Sequence, residues 1–163
     1  MVWLRAVFLL FLWSTVTSVH ARPLSVVLFP GDPATLTAVN AVQQLRRDPA
    51  LKEVSFRIAS SSRPSAEDLA ALAGADLGLI YNMGRELANA ITPAVARLQA
   101  RGAKAYAVGA PFEEGEKQAG LTRDEMLREY AQAGGVDNYA AMVRRVLARD
   151  FGCVSEGVEN SFL

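Results

Sequence analysis

The side chains in this sequence that could do chemistry are few, and each has a plainer role beside it. Asp32 stands between Gly31 and Pro33. Its carboxylate is either the N-cap of the helix that Pro33 opens or a ligand or acid–base group on a loop. Asn82-Met83-Gly84-Arg85 sets an amide, a soft thioether and a cation at the end of an apolar run. It reads either as a turn, with Gly84 where permissive dihedrals are needed, or as a ligand contact. Gly109 closes a further apolar run in the same way. Glu113, Glu114 and Glu116 offer hard oxygen ligands, but their spacing lacks the Ca²⁺-loop pattern and reads as a solvated acidic turn. Cys153, the single cysteine, has no internal disulfide partner and reads as a spare thiol able at most to cross-link chains.

Histidine chemistry depends on one residue, His20, and that residue lies in what reads as a secretory signal. Arg5 supplies the positive start, Ala6 to Trp13 the apolar core, and Val19-His20-Ala21 the small-residue pattern before a cleavage point. The apolar core is too short to span a bilayer. The expectation is cleavage between Ala21 and Arg22, export to the periplasm or beyond, and no stable membrane span afterwards; an uncleaved amino-terminal anchor is the other reading. Cleavage would leave no histidine for a Ser-His-Asp or Cys-His nucleophile, a zinc ligand or a proton shuttle. No catalytic and no metal-ligating residues are assigned.

Composition narrows the classes further. The 163 residues carry 17 Lys+Arg against 17 Asp+Glu and are 51% hydrophobic, which suits one globular domain and excludes disorder. Zero formal charge with no long basic run removes the electrostatic source of nucleic-acid binding. Neither Gly-x-Gly-x-x-Gly nor a Gly-x4-Gly-Lys-Ser/Thr loop is present, so no nucleotide cofactor is expected.

The elements that must position the candidate residues follow from periodicity. Leu24 to Phe29 is a buried-strand run, and Leu36, Val39, Val42 and Leu45 repeat at helical spacing after Asp32-Pro33. Glu53 to Ile58 alternates like an edge strand with one wet face. Ser65 to Asp68 resembles a capping box that opens a helix to Gly74. Leu77 to Tyr81 and Ala103 to Val108 read as two more strands. Between them, Arg85 to Gly102 reads as helix interrupted at Thr92-Pro93, either two short helices or one kinked. Thr122 with Glu125 reads as a second capping box, Gly134-Gly135 as a helix end, and Asp137 as the cap of a last helix with Tyr139, Met142, Val143 and Val146 on one face. This order predicts an α/β fold, a small doubly wound, flavodoxin- or Rossmann-like sheet of four parallel strands with helices on both faces. The predicted domain runs over 22–151, between the signal at 1–21 and a tail at 152–163. Ligands of such sheets bind at the carboxyl ends of the strands. That makes Asp32, Asn82, Met83, Gly84, Arg85 and Gly109 the candidate ligand-binding residues.

Three stretches carry a family resemblance: Leu77-Gly-Leu-Ile-Tyr-Asn82, the run from Thr92 through Arg101-Gly-Ala-Lys104 to Gly109, and above all Leu127 to Leu147 with its Tyr130…Gly134-Gly135-x-x-Asn138 element. Together they resemble the amino-terminal region of the cobaltochelatase and magnesium-chelatase large subunits, over almost all of Pro23 to Phe151. The resemblance implies tetrapyrrole binding in a system that inserts Co²⁺ or Mg²⁺ with ATPase partner subunits, as in cobalamin biosynthesis. Members are far longer than this chain, and the parts credited with metal and porphyrin handling lie mostly beyond the matched region. The chain is then either a free-standing copy of the amino-terminal domain or the truncated start of a longer gene, and its partners would be the remaining chelatase domains or subunits. A tetrapyrrole would be met by Tyr81, Met83 and Arg85. The alternative is a periplasmic flavodoxin-like ligand-binding or interaction module of an unrelated pathway.

Overall fold

In the computed structural model of the chain, residues 22–81, 84–109 and 113–153 are described. The first apolar run forms β1, Leu24–Phe29, and its neighbours on both sides explain its composition. It pairs in parallel with β2, Val54–Ile58, and with β3, Leu77–Ile80. Val26 to Phe29 are accordingly buried on both faces. Strand β4, Lys104–Ala107, lies beyond β3, and β5, Thr122–Arg123, completes an all-parallel sheet of order β2-β1-β3-β4-β5. The edge position expected for Glu53 to Ile58 is where β2 stands, with Ser55 exposed and Phe56 buried.

Six α-helices cover the sheet: α1 Thr35–Leu45, α2 Ala66–Gly74, α3 Arg85–Ala100, α4 Glu113–Ala119, α5 Glu125–Ala133 and α6 Gly135–Phe151. On one face the core joins Val26 and Leu28 to Val42 and Leu45 of α1, Leu127 of α5, and Met142, Val143 and Val146 of α6. On the other face Val27, Phe29 and Ile80 meet Leu72 of α2, and Leu87, Ile91, Val95 and Leu98 of α3. The alternation of Val26/Leu28 against Val27/Phe29 divides one strand between two cores, so the sheet is doubly wound. Among the described residues no helix is long and apolar enough to cross a membrane.

Several local expectations need correction. The sheet has five strands rather than four, because Thr122-Arg123 pairs with Tyr106 and Ala107; a strand of 2 residues has no periodicity to read. Thr122 is therefore not a cap, and the Asp124 carboxylate accepts from the Leu127 N–H to start α5. Helix α3 runs through Pro93 without a break. Thr92, instead of capping a second helix, donates its hydroxyl to the Ala88 carbonyl at 2.6 Å. Asp32 belongs to a 3-10 turn, Asp32–Ala34, whose N-cap position is Gly31 and which makes no side-chain cap bond. Asp137 lies inside the first turn of α6 rather than at its cap; Asn138 Nδ2 donates to the Gly134 carbonyl at 2.8 Å. The acidic turn at Glu113 to Glu116 is helix α4, and Glu116 is 1% exposed, ion-paired to Arg123 Nε at 3.2 Å. By contrast the Ser65–Asp68 capping box is present in both halves.

Candidate ligand-binding crevice

Strand order reverses at β1. The chain leaves β1 toward β2 on one side and later returns through β3 on the other, so the loops after β1 and β3 part and leave a crevice at the carboxyl rim. A cavity of about 220 Å³ lies there. Pro30, Gly31, Pro33 and Ala34 of the β1–α1 connection form one wall, with Thr37 of α1. Tyr81 and Val108 stand at the ends of β3 and β4. Ala131, Gly134, Gly135 and Tyr139, from the junction of α5 and α6, close the far side.

Three contacts shape this rim. Ser61, buried in the β2–α2 loop, donates its hydroxyl to the Pro30 carbonyl and ties the two loops together. Gly109 has φ +96°, and a Cβ there would stand 1.8 Å from Cε2 and 1.9 Å from Cδ2 of the Tyr81 ring. Only glycine both adopts that backbone and leaves room for the ring. Arg128 Nε donates to the Gly109 carbonyl at 3.3 Å, which fixes the same turn from α5.

The chemistry of the crevice is neutral and mostly apolar. Among the described residues none of those lining it carries a charged side chain. Tyr139 is 6% exposed, and its hydroxyl is buried with no hydrogen-bond partner among the described residues. Burial pushes its pKa well up from the ordinary tyrosine value, so the group is a neutral O–H at physiological pH. An unpartnered buried hydroxyl is costly.

The residues singled out in the sequence are distributed unevenly about this site. Gly109 serves it through Tyr81. Asp32 is exposed beside it, between the lining residues Gly31 and Pro33, without lining it. Gly84 holds the N-cap position of α3 with φ 168°, extended backbone that needs no glycine. Arg85 is ion-paired to Glu114 at 3.1 Å on an exposed surface and does not line the crevice. Asn82 and Met83 lie outside the described residues. Tyr139, Thr37 and the Gly134-Gly135 wall were not among the candidates. Tyr139 was legible only as a core-facing helix residue, and a missing hydrogen-bond partner leaves no mark on periodicity.

Elsewhere the titratable groups are engaged with one another. Asp150 accepts from the Tyr106 hydroxyl at 2.6 Å and from Arg149 Nε at 2.9 Å, and pairs with Lys104 at 3.0 Å. Arg149 also pairs with Asp124 and lies 5.2 Å from the centre of the Tyr106 ring. Burial works to raise the Asp150 pKa, but the hydrogen bonds from Arg149, Tyr106 and Lys104 outweigh it and hold the carboxyl at about 2. Burial and the bond to Asp150 push Tyr106 up to about 12. This network clamps α6 to β4 and α5. Cys153 is half-buried against the core, and burial raises its thiol pKa, which lowers its reactivity. Among the described residues no group of three or more His, Cys, Asp or Glu side chains could hold a metal ion. The chain matches no protein-family model, no curated protein and no solved structure.

Proposed function

We propose that this chain is an exported binding domain of the chelatase-large-subunit type, which takes part in cobalt or magnesium tetrapyrrole handling by binding or docking rather than by catalysis. One observation carries the reading. The element on which the family resemblance chiefly rests, Tyr130 to Asn138, is continuous with the wall of the crevice at the point where a doubly wound sheet binds its ligands: Ala131, Gly134, Gly135 and Tyr139 all line it. Fold alone would not carry a function.

The size of the site limits how the ligand would sit. About 220 Å³ is below the roughly 300–1,000 Å³ of pockets that enclose drug-sized ligands. A tetrapyrrole would therefore be gripped by one edge, with its remaining surface free for the other chelatase domains or subunits. Export with cleavage after Ala21 belongs to the same proposal. So does a role by binding rather than catalysis: among the described residues the lining carries no nucleophile–base pair, and Arg128 on the rim is held by the Gly109 carbonyl and Glu125.

The neutral lining favours a second reading as well, a flavodoxin-like module that takes a small uncharged ligand in an unrelated pathway. Titrating the chain with a tetrapyrrole and following its visible absorbance separates the two. Saturable binding that is lost in Thr37→Phe, which plugs the crevice, and kept in Arg85→Ala supports the chelatase-type reading. Binding that survives Thr37→Phe places the ligand elsewhere, and no binding of any tetrapyrrole leaves the second reading.

A further inference from the structure

We propose that the crevice receives a single flat aromatic ring, on its own or as one ring of a larger ligand, and that the ring of Tyr81 is the side chain that selects it. This rests on the reading of the crevice as the binding site. The ligand need not be a tetrapyrrole, but if it is one, a single pyrrole-type ring is the part inserted.

Size limits the occupant. The crevice holds about 220 Å³, and an apolar protein cavity of about 150 Å³ is enough to take benzene. There is room for one ring with a substituent or a fused neighbour, and none for a whole macrocycle. The walls limit its shape. Gly31 and Ala34 on one side, and Ala131, Gly134 and Gly135 on the other, have no side-chain atom beyond Cβ. A Cβ added at Gly134 or Gly135 would meet no atom within 4 Å, so nothing packs against that wall where a side chain would stand. Surfaces of backbone and short stubs cannot wrap an irregular aliphatic group, and they lose little rotamer freedom on meeting a flat one.

Tyr81 supplies the preference for aromatic character. It is half-buried at the end of β3 and lines the crevice. The Cδ2–Cε2 side of its ring lies so close to Gly109 that a Cβ there would stand 1.8 Å from Cε2, and the Gly109 carbonyl is in turn held by Arg128 Nε. The ring is thereby placed before any ligand arrives, which lowers the cost of binding. An aromatic ligand meets it in offset-stacked or edge-to-face contact, favoured over equal aliphatic area by roughly threefold to tenfold in affinity. The hydroxyls of Tyr81 and Thr37, both lining residues, can donate or accept, so a ring nitrogen or hydroxyl is accommodated. Charged substituents would stay at the rim, where Arg128 pairs with Glu125.

Phenol and cyclohexanol test this against the full chain at pH 7, where both are neutral and each carries one hydroxyl. Nitrogen-15 NMR titration gives the affinities, and shifts of the Thr37, Gly134 and Gly135 amides locate the contact. The wild type should bind phenol roughly tenfold more tightly than cyclohexanol. Tyr81→Phe, which keeps the ring, should keep that preference, and Tyr81→Leu should reduce it to about twofold or less, with circular dichroism checking the fold. Nuclear Overhauser contacts between the ring protons of phenol and those of Tyr81 should appear in the wild type, a reading that needs no variant. Equal binding of the two probes, a preference unchanged in Tyr81→Leu, or no contact between phenol and Tyr81 would overturn the inference. Tetrapyrrole binding that is lost in Thr37→Phe, with no binding of phenol, would overturn it and keep the chelatase-type reading. Tyr81-dependent capture of phenol with no binding of a tetrapyrrole would uphold it and remove that reading. Binding of neither would defeat both.

Discussion

Removing the Tyr139 hydroxyl should make the free protein more stable. The hydroxyl is hydrated in the unfolded chain and without a partner in the folded one, and a buried polar group in that state costs about 1–3 kcal/mol. Tyr139→Phe keeps the ring, which is 6% exposed and packs within the core formed by α1, α6 and one face of the sheet, so the apolar contacts remain. Against the gain stands a void the size of one oxygen, which forfeits a few dispersion contacts of roughly 0.1–0.2 kcal/mol each. The net expectation is a stabilisation of about 1–2 kcal/mol. For a domain of this size that raises Tm by roughly 3–8 °C. Urea unfolding followed by far-ultraviolet circular dichroism at pH 7 measures it, with a higher midpoint and an unchanged slope expected. A midpoint lowered in Tyr139→Phe would show that the hydroxyl is engaged in solution.

Gly109→Ala should destabilise the chain by more than ~2 kcal/mol, because φ of +96° disfavours any Cβ and this one would strike the Tyr81 ring; thermal unfolding measures the loss, and ligand binding should fall with it as Tyr81 is displaced. Asp150 has a folded pKa of about 2, below the ordinary value near 3.9, so its contribution is fully present above about pH 4 and lost as pH falls toward 2, a swing of about 2 kcal/mol. Asp150→Asn should remove that acid-side slope in urea midpoints taken between pH 5 and 2, and should cost about 1–2 kcal/mol at pH 7, chiefly by weakening the acceptor for the Tyr106 hydroxyl and unpairing Lys104, since Arg149 keeps Asp124. The export reading predicts a mature amino terminus at Arg22, and intact-mass measurement on cell-envelope fractions checks it; a protein that retains Met1 would overturn it.

The fold was legible wherever one physical cause acted alone. Val26 to Phe29 is buried on both sides and reads as a continuous apolar run, while β2, at an edge, alternates. Ser65 and Asp68 form their box from local geometry, and the sequence shows it. What escaped was decided by neighbours distant in the chain. Thr122 pairs as strand because β4 offers a free edge there, and Glu116 is buried because Arg123 reaches it across a turn. Pro93 is carried inside α3 because that helix buries Ile91, Ala94, Val95 and Leu98 on both sides of it, and packing outweighs the lost N–H. At the site, the rim was legible from strand ends, and Gly109 with it. The pairing of Arg85 with Glu114, 29 positions on in the chain, has no mark in the local sequence. The unsatisfied hydroxyl of Tyr139 depends on what every surrounding side chain fails to supply, and no local pattern encodes that.

The way β1 is shared has a consequence for how the chain comes off the ribosome. One face of this strand is sealed by α2 and α3, which are synthesised within the next stretch of chain, whereas the other waits for Tyr139, Met142, Val143 and Val146 of α6. Until those residues emerge, Val26, Leu28, Val42 and Leu45 have lost only part of their contact with water, and the contacts that finish the job are long-range and slow to form. A nascent chain of this kind stays open on one side through most of its synthesis, which exposes it to aggregation and to holding factors. Under the export proposal, with a translocation channel that accepts unfolded polypeptide, the same delay would be useful: α6 would act as a late latch, and the time before it closes would be the time in which the chain can still be threaded.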